Sequence, residues 1–265
     1  MYDFAYHRPK TLAEATAALK GKPEARPMSG GMTLIPTLKQ RLAKPSDVVD
    51  LNGIKELAGI KAEGSGVTIG ALTRHADVAS SGDVKKAIPA LAHLAGHIGD
   101  PAVRNRGTMG GSVANSDPAA DYPAAVLALN ATVTTNSRTI KADDFFKGLF
   151  ETALEDGELV TGITFPKADK AGYMKFPNPA SRYAMVGVFV AKTGNTVRVA
   201  VTGAGPCAFR VKAMEDALAK NFSSDAIKDI TVPADGLNSD IHGSAEYRAH
   251  LVNVMARRAV DQANK

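Results

Sequence analysis

Two paired glycines constrain this chain more than any other feature. Gly30-Gly31 lies within Met28-Ser29-Gly30-Gly31-Met32-Thr33-Leu34, and Gly110-Gly111 within Arg106-Gly107-Thr108-Met109-Gly110-Gly111-Ser112. The first pair stands between a short strand-like run and the start of a helical pattern. Glycine at such a turn lets the backbone approach a ligand closely. A helix start also offers free N–H groups and a positive dipole end, which suits an anion. Neither loop is the dinucleotide fingerprint G-x-G-x-x-G or the phosphate loop G-x-x-x-x-G-K-[ST]. One such loop alone reads as a tight turn. Two of the same character leave tight turns and a pyrophosphate held between two backbone-amide cradles as equal readings.

The surrounding pattern predicts an α+β chain in two parts. Thr11-Leu12-Ala13-Glu14 is a capping box that opens a helix ending at Gly21. Ala25–Met28 reads as a strand, Leu34–Leu42 as a helix and Val48–Leu51 as a strand, so a small parallel α/β unit is expected first. From Val67 the pattern changes. Val67–Ala71 alternates at period two, and helices follow through Ala79 and over Pro89–Ile98. Asp117-Pro118 reads as the N-cap and first residue of another helix. Ala131–Thr134 and Leu159–Phe165 read as strands, giving a mixed or antiparallel sheet with helices. The short charged stretch Pro166–Gly172 marks a boundary, dividing the chain into domains 1–168 and 169–265. Beyond it, Tyr173–Phe176, Ala184–Lys192 and Thr196–Val201 are expected as a three-stranded antiparallel sheet. Helices over Arg210–Lys220 and Ser244–Asn264 complete the second part.

Composition removes several function classes. No run of about 18 apolar residues is present, so no membrane-spanning helix is expected. The N-terminus lacks the apolar core of a signal peptide, and the chain reads as cytoplasmic. Net charge is +5, but Lys and Arg are scattered, tryptophan is absent and aromatics are few, which argues against nucleic acid. Cys207 is the only cysteine, so the chain alone can ligate neither a cysteine-bound zinc nor an iron–sulfur cluster. It reads as a small buried hydrophobe. His93 and His97 share a helix face, but no third ligand accompanies them and no metal is expected. Asp143-Asp144, ahead of Phe145-Phe146, reads as a helix cap.

Longer stretches carry a resemblance. Ser29-Gly30-Gly31-Met32-Thr33-Leu34-Ile35-Pro36 resembles the A-G-G-T-D-L-x-P loop in the flavin subunits of molybdenum hydroxylases, the xanthine dehydrogenase and aerobic carbon monoxide dehydrogenase family. Gly99-Asp100-Pro101-Ala102-Val103-Arg104-Asn105-Arg106-Gly107-Thr108-Met109-Gly110-Gly111-Ser112-Val113-Ala114-Asn115 resembles their second FAD loop. Its continuation, Ser116-Asp117-Pro118-Ala119-Ala120-Asp121-Tyr122-Pro123-Ala124-Ala125, is similar too. The wording is closest to the carbon monoxide dehydrogenase medium-subunit branch, and the resemblance runs over the whole chain. One departure is Met32-Thr33 where Thr-Asp is common; Thr33 offers only a hydroxyl.

The resemblance implies FAD as the cofactor. Met28, Ser29, Gly30, Gly31, Met32, Thr33 and Leu34 would cradle its pyrophosphate. Thr108, Gly110, Gly111 and Ser112 would form the second cradle, with Asn115 hydrogen-bonding close by. Ile98 matches a position packed on a ring of the cofactor, though ordinary helix core explains it equally well. Asp121 matches a carboxylate on the flavin side; the alternative is a first-turn acid favoured by the helix dipole. Leu159 matches a strand position whose backbone meets the flavin edge. Lys175 matches a basic residue at the cofactor, with a solvated strand lysine as the alternative. Tyr183 sits where relatives place a residue beside the flavin ring, with a strand-edge tyrosine as the alternative.

Two [2Fe–2S] clusters need about eight cysteines, four for each. By the resemblance, they and the molybdenum cofactor belong to a small iron–sulfur subunit and a large molybdenum subunit, assembled with this chain as an (αβγ)2 heterohexamer. The chain would take electrons from a cluster and pass them to a quinone, NAD or another acceptor, with no catalytic acid or base of its own. Two rivals are a stand-alone FAD oxidase, which lacks a candidate base, and a cofactor-free interaction subunit, against which both intact glycine pairs argue.

Overall fold

The computed structural model describes residues 1–265. Three sheets follow one another along the chain. The first is parallel and small: β1 (Ala5–His7), β2 (Arg26–Met28) and β3 (Asp47–Asp50), in the order β1-β3-β2. Its crossovers are α1 (Leu12–Leu19) and α2 (Leu34–Lys39). Thr11 caps α1 as its spacing predicts, accepting from the Glu14 N–H. Helix α2 stops three residues earlier than its apolar pattern suggests, because Arg41 turns into the left-handed region at φ 59°.

The second sheet is antiparallel. Strands β4 (Ile60–Glu63), β5 (Gly66–Gly70), β6 (Thr132–Thr135) and β7 (Thr139–Lys141) are followed by a hairpin of β8 (Phe146–Gly148) and β9 (Glu151–Thr152). Strand β10 (Val160–Pro166) then inserts centrally, in the order β4-β5-β10-β6-β7. Helices α3 (His75–Ser80), α4 (Gly82–Ala87), α5 (Pro89–Gly96), α6 (Pro101–Arg104), α7 (Met109–Asn115) and α8 (Tyr122–Ala128) fill the β5–β6 crossover, and α9 (Ala142–Phe145) follows β7.

The third sheet contains the three expected long strands, β11 (Lys170–Pro177), β12 (Ala184–Thr193) and β13 (Thr196–Thr202). A two-residue strand, β14 (Phe209–Arg210), extends it to four. Strand β12 is buried from Ala184 to Ala191 because both of its faces are covered. Val186, Val188 and Val190 pack towards α10 (Lys212–Lys220) and α11 (Ala245–Ala263), whereas Phe189 and Ala191 join the core beneath α5 and α8. The short stretch read as a boundary is already strand from Lys170 onward.

Helix α8 corrects the sequence expectation. It opens at Tyr122, not Asp117. The reason lies in the third sheet, which takes the carbonyls a longer helix would use. Thr202 Oγ1 donates to the oxygens of Pro118 and Ala120 at 3.0 and 2.5 Å, and the Gly203 N–H donates to Pro118 at 2.7 Å. Residues 117–120 therefore form a turn, in which Asp117 accepts from the Ala119 N–H. Asp143 does not cap a helix either; its carboxylate pairs with Arg198 and Arg210 and ties α9 to the third sheet. Cys207 is half-buried rather than enclosed.

Candidate functional site

A cleft of about 680 Å3 opens where β2, α7 and the β11–β12 connection meet. Every candidate residue from the sequence lines it except Lys175.

The first glycine loop supplies its most distinctive chemistry. The chain leaves β2 at Met28, and Gly31 takes a left-handed φ of 72° to start α2. From Gly30 to Leu34, five consecutive backbone N–H groups have no acceptor within the chain. Gly30 and Gly31 are themselves buried. Buried amides are normally paired, and leaving one unmade costs about 1–3 kcal/mol. Two buried amides, continued by three more exposed or half-buried ones at a helix start beside a cleft, suit an anion. Asn52 anchors this loop by donating to the Ser29 carbonyl at 2.6 Å.

The second loop also lines the cleft, but several of its amides already have partners within the chain. Met109 N–H donates to Thr73 O at 2.9 Å, Gly110 N–H to Ala71 O at 2.8 Å and Gly111 N–H to Thr108 Oγ1 at 3.3 Å. Those amides are spent on structure. The loop instead offers side chains at the cleft, the Ser112 hydroxyl and the Asn115 amide. Its glycines allow close packing: a Cβ on Gly110 would lie 2.4 Å from that of Ala71, and one on Gly111 would lie 2.4 Å from Ser29 Oγ. Gly30 plays the same part from the other side, since its Cβ would sit 2.1 Å from the Arg106 carbonyl oxygen. Thr108 Oγ1 completes the contact by donating to Ser29 Oγ at 3.0 Å. The glycines thus lock the two loops together.

Asp121, only 3% exposed, forms part of the cleft wall. Tyr173 Oη donates to it at 2.5 Å, and Lys175 Nζ lies 2.9 Å from the same oxygen. Burial raises its pKa, opposed by the lysine's charge and by both hydrogen bonds. Lys175 thus stands behind the carboxylate, also donating to His97 O at 3.0 Å, and faces a neighbouring cleft. Leu159 is buried, and Asn136 engages both of its backbone groups, so its side chain is what borders the cleft. Ile98 is a half-buried apolar wall; Tyr183, 44% exposed, lies at the mouth with the exposed Met32 and Thr33. Burial of its phenol, with Asp117 and Asp121 nearby, raises the pKa of Tyr183.

Three lining groups carried no signal in the sequence. His75 is buried beneath the second loop, its Nδ1 without a partner and its ring 5.3 Å from that of Tyr122. Burial, and secondarily Arg104, pull its pKa down to about 4. Glu158 is held by Arg138 at 2.9 Å and by Thr135 Oγ1 at 2.7 Å. Arg182 adopts a left-handed backbone, φ 61°. None of these residues belongs to a glycine loop or an amphipathic stripe.

Two family models match the chain. The FAD binding domain in molybdopterin dehydrogenase covers residues 2–168, and the CO dehydrogenase flavoprotein C-terminal domain covers residues 171–263. The glyceraldehyde dehydrogenase medium chain of Sulfolobus acidocaldarius is 40% identical over 97% of both chains. The carbon monoxide dehydrogenase medium chain of Hydrogenophaga pseudoflava is 37% identical over 98% of this chain and 96% of its own. Among solved structures, the reconstituted CO dehydrogenase from Oligotropha carboxidovorans superposes with a TM-score of 0.89 at 34% identity, covering 98% of this chain and 97% of that one. Quinoline 2-oxidoreductase from Pseudomonas putida 86 gives 0.88 at 30% identity, covering 98% and 96%.

Proposed function

This chain belongs to the FAD-binding medium subunits of the carbon monoxide dehydrogenase and xanthine dehydrogenase family, which are subunits of oxidoreductases, and from that premise we propose how it holds its cofactor and passes electrons on. The carrying observation is the row of partnerless N–H groups from Gly30 to Leu34. They suit the FAD pyrophosphate, an anion that satisfies several amides at once. Ser112 and Asn115 add side-chain hydrogen bonds, and Thr108 holds Ser29 and the second loop in register. Ile98 and Leu159 supply apolar walls. Asp121, with its position fixed by Tyr173 and Lys175, accepts from the flavin end, and Tyr183 covers the ring at the mouth.

Bound FAD supplies the redox chemistry, storing two electrons that can arrive or leave singly. The residues of this chain bind and orient it, and none is required as a general acid or base. A [2Fe–2S] donor would have to lie on a separate protein, because one cysteine cannot hold such a cluster. We assign that role to a small [2Fe–2S] subunit serving a large molybdenum subunit, in an (αβγ)2 heterohexamer, with a quinone or NAD as the outgoing acceptor.

The test combines spectroscopy with reconstitution. The purified chain should carry flavin absorption yet oxidise no aldehyde, N-heterocycle or carbon monoxide. Adding both partner subunits should make substrate bleach its flavin. Turnover by the chain alone at an enzyme-like rate, about 1–1000 per second, would instead establish a stand-alone oxidase.

A further inference from the structure

A second cleft, about 720 Å3, lies beside the first, between the α5–α6 corner and β11. Gly99 and Arg182 line both. Asp121 faces the first and Lys175 the second, so the wall between them is at this point one ion pair thick.

The charge of the second cleft is one-sided. Arg104, Lys175 and Arg182 line it, and no carboxylate does. Asp121 matches the charge of Lys175 from behind. The two arginines are not matched. Arg104 Nη1 donates only to the carbonyls of Ile98 and Gly99, at 3.0 and 3.1 Å, and the Arg182 guanidinium has no partner in the chain. A concave surface of one sign concentrates ions of the other. Guanidinium forks match phosphate oxygens two at a time.

Size and lining narrow the ligand. The volume exceeds what a lone phosphate needs and falls in the range of small-molecule sites. The rings of His93 and His97 lie 4.1 Å apart at the cleft, and Pro177 and Pro179 also border it. Flat rings and proline faces suit an aromatic base. The apolar wall that a quinone tail requires is missing, since Met174 is the one long aliphatic side chain there.

We propose that this second cleft binds a nucleoside diphosphate group, with Arg104 and Arg182 taking the phosphates and the His93–His97 face bordering the base. Such a group is carried by soluble dinucleotides and absent from quinones. Its place next to the redox centre rests on reading the first cleft as the FAD site.

The experiment titrates ADP into the full chain saturated with FAD, followed by calorimetry, with orthophosphate in parallel. Flavin saturation keeps ADP out of the first cleft. Saturable ADP binding is expected, weakening as salt rises and falling by about tenfold or more in Arg104→Gln/Arg182→Gln. Lys85→Gln, an exposed charge on α4, should leave it unchanged. No ADP uptake, or uptake indifferent to the two arginine substitutions at unchanged melting temperature, would overturn the proposal. So would orthophosphate binding as tightly as ADP, which would leave a bare anion site. A chain that takes up no flavin counts against the first cleft alone, because Arg104→Gln, at a residue that lines only the second cleft, still reports on the second.

Discussion

The phenol of Tyr173 donates to the Asp121 carboxylate across 2.5 Å, joining the third sheet to the start of α8 at the wall of the first cleft. Gly187 on the adjacent strand makes the contact possible, since its Cβ would stand 2.5 Å from the tyrosine oxygen. Lys175 neutralises the same carboxylate, and all three groups are almost fully buried.

Removing the lysine should therefore cost more than removing the phenol. Lys175→Met strands a buried carboxylate and should destabilise the chain by about 3 kcal/mol. Tyr173→Phe, which loses one hydrogen bond to a charged group, should cost about 1.5–3 kcal/mol. Asp121→Asn in the Lys175→Met background should recover part of the loss. Urea unfolding of the single and double variants checks the order; additive costs would mean that the pair is not coupled.

Gly30→Ala should force the two loops apart, because the new methyl falls on the Arg106 carbonyl. Overpacking of this kind costs about 1–3 kcal/mol. Flavin affinity should fall with stability, as the unpaired amides lose their alignment. Gly111→Asp should act through the same seam, driving a carboxylate against Ser29 and Thr108. Thermal melts and flavin titration check both; a Gly111→Asp protein that keeps wild-type flavin affinity would contradict the role given to this contact.

His75 should set part of the acid sensitivity. Its folded pKa, about 4, lies below its ordinary value of 6.5, so the unfolded chain takes up a proton first. Its contribution to stability is thus intact above about pH 6.5 and declines as pH falls towards 4. His75→Leu should flatten the fall in melting temperature across that window. An unchanged slope would mean that the ring is not held neutral by burial.

Glu158 should act in a lower window. The Arg138 guanidinium, aided by Thr135 and neighbouring donors, holds its pKa down to about 2 against an ordinary value of 4.5. A depressed carboxylate stabilises above its unfolded pKa and loses that effect as pH falls through the folded one. Glu158→Gln should lower the melting temperature at neutral pH, and the difference should shrink between about pH 4.5 and 2.

What could be read from the sequence was local. The glycine loops, the capping box at Thr11 and the alternating strands Val67–Gly70 and Thr196–Val201 announce themselves through spacing. The contacts made across the chain do not. Nothing in the second loop signals that Thr73 and Ala71 take the amides of Met109 and Gly110. The local pattern around Asp121 left a first-turn acid as an alternative, because its partners, Tyr173 and Lys175, lie in another sheet. The late start of α8 follows from a hydroxyl at Thr202. His75, Glu158 and Arg182 meet the cleft only once three sheets have assembled around it.

The most direct test of the central claim is flavin stoichiometry. The purified chain, reconstituted with FAD and dialysed to equilibrium, should retain one flavin per chain. Gly30→Ala should retain markedly less at the same concentration. A folded chain that retains no flavin, with its melting temperature unmoved by added FAD, would contradict the account.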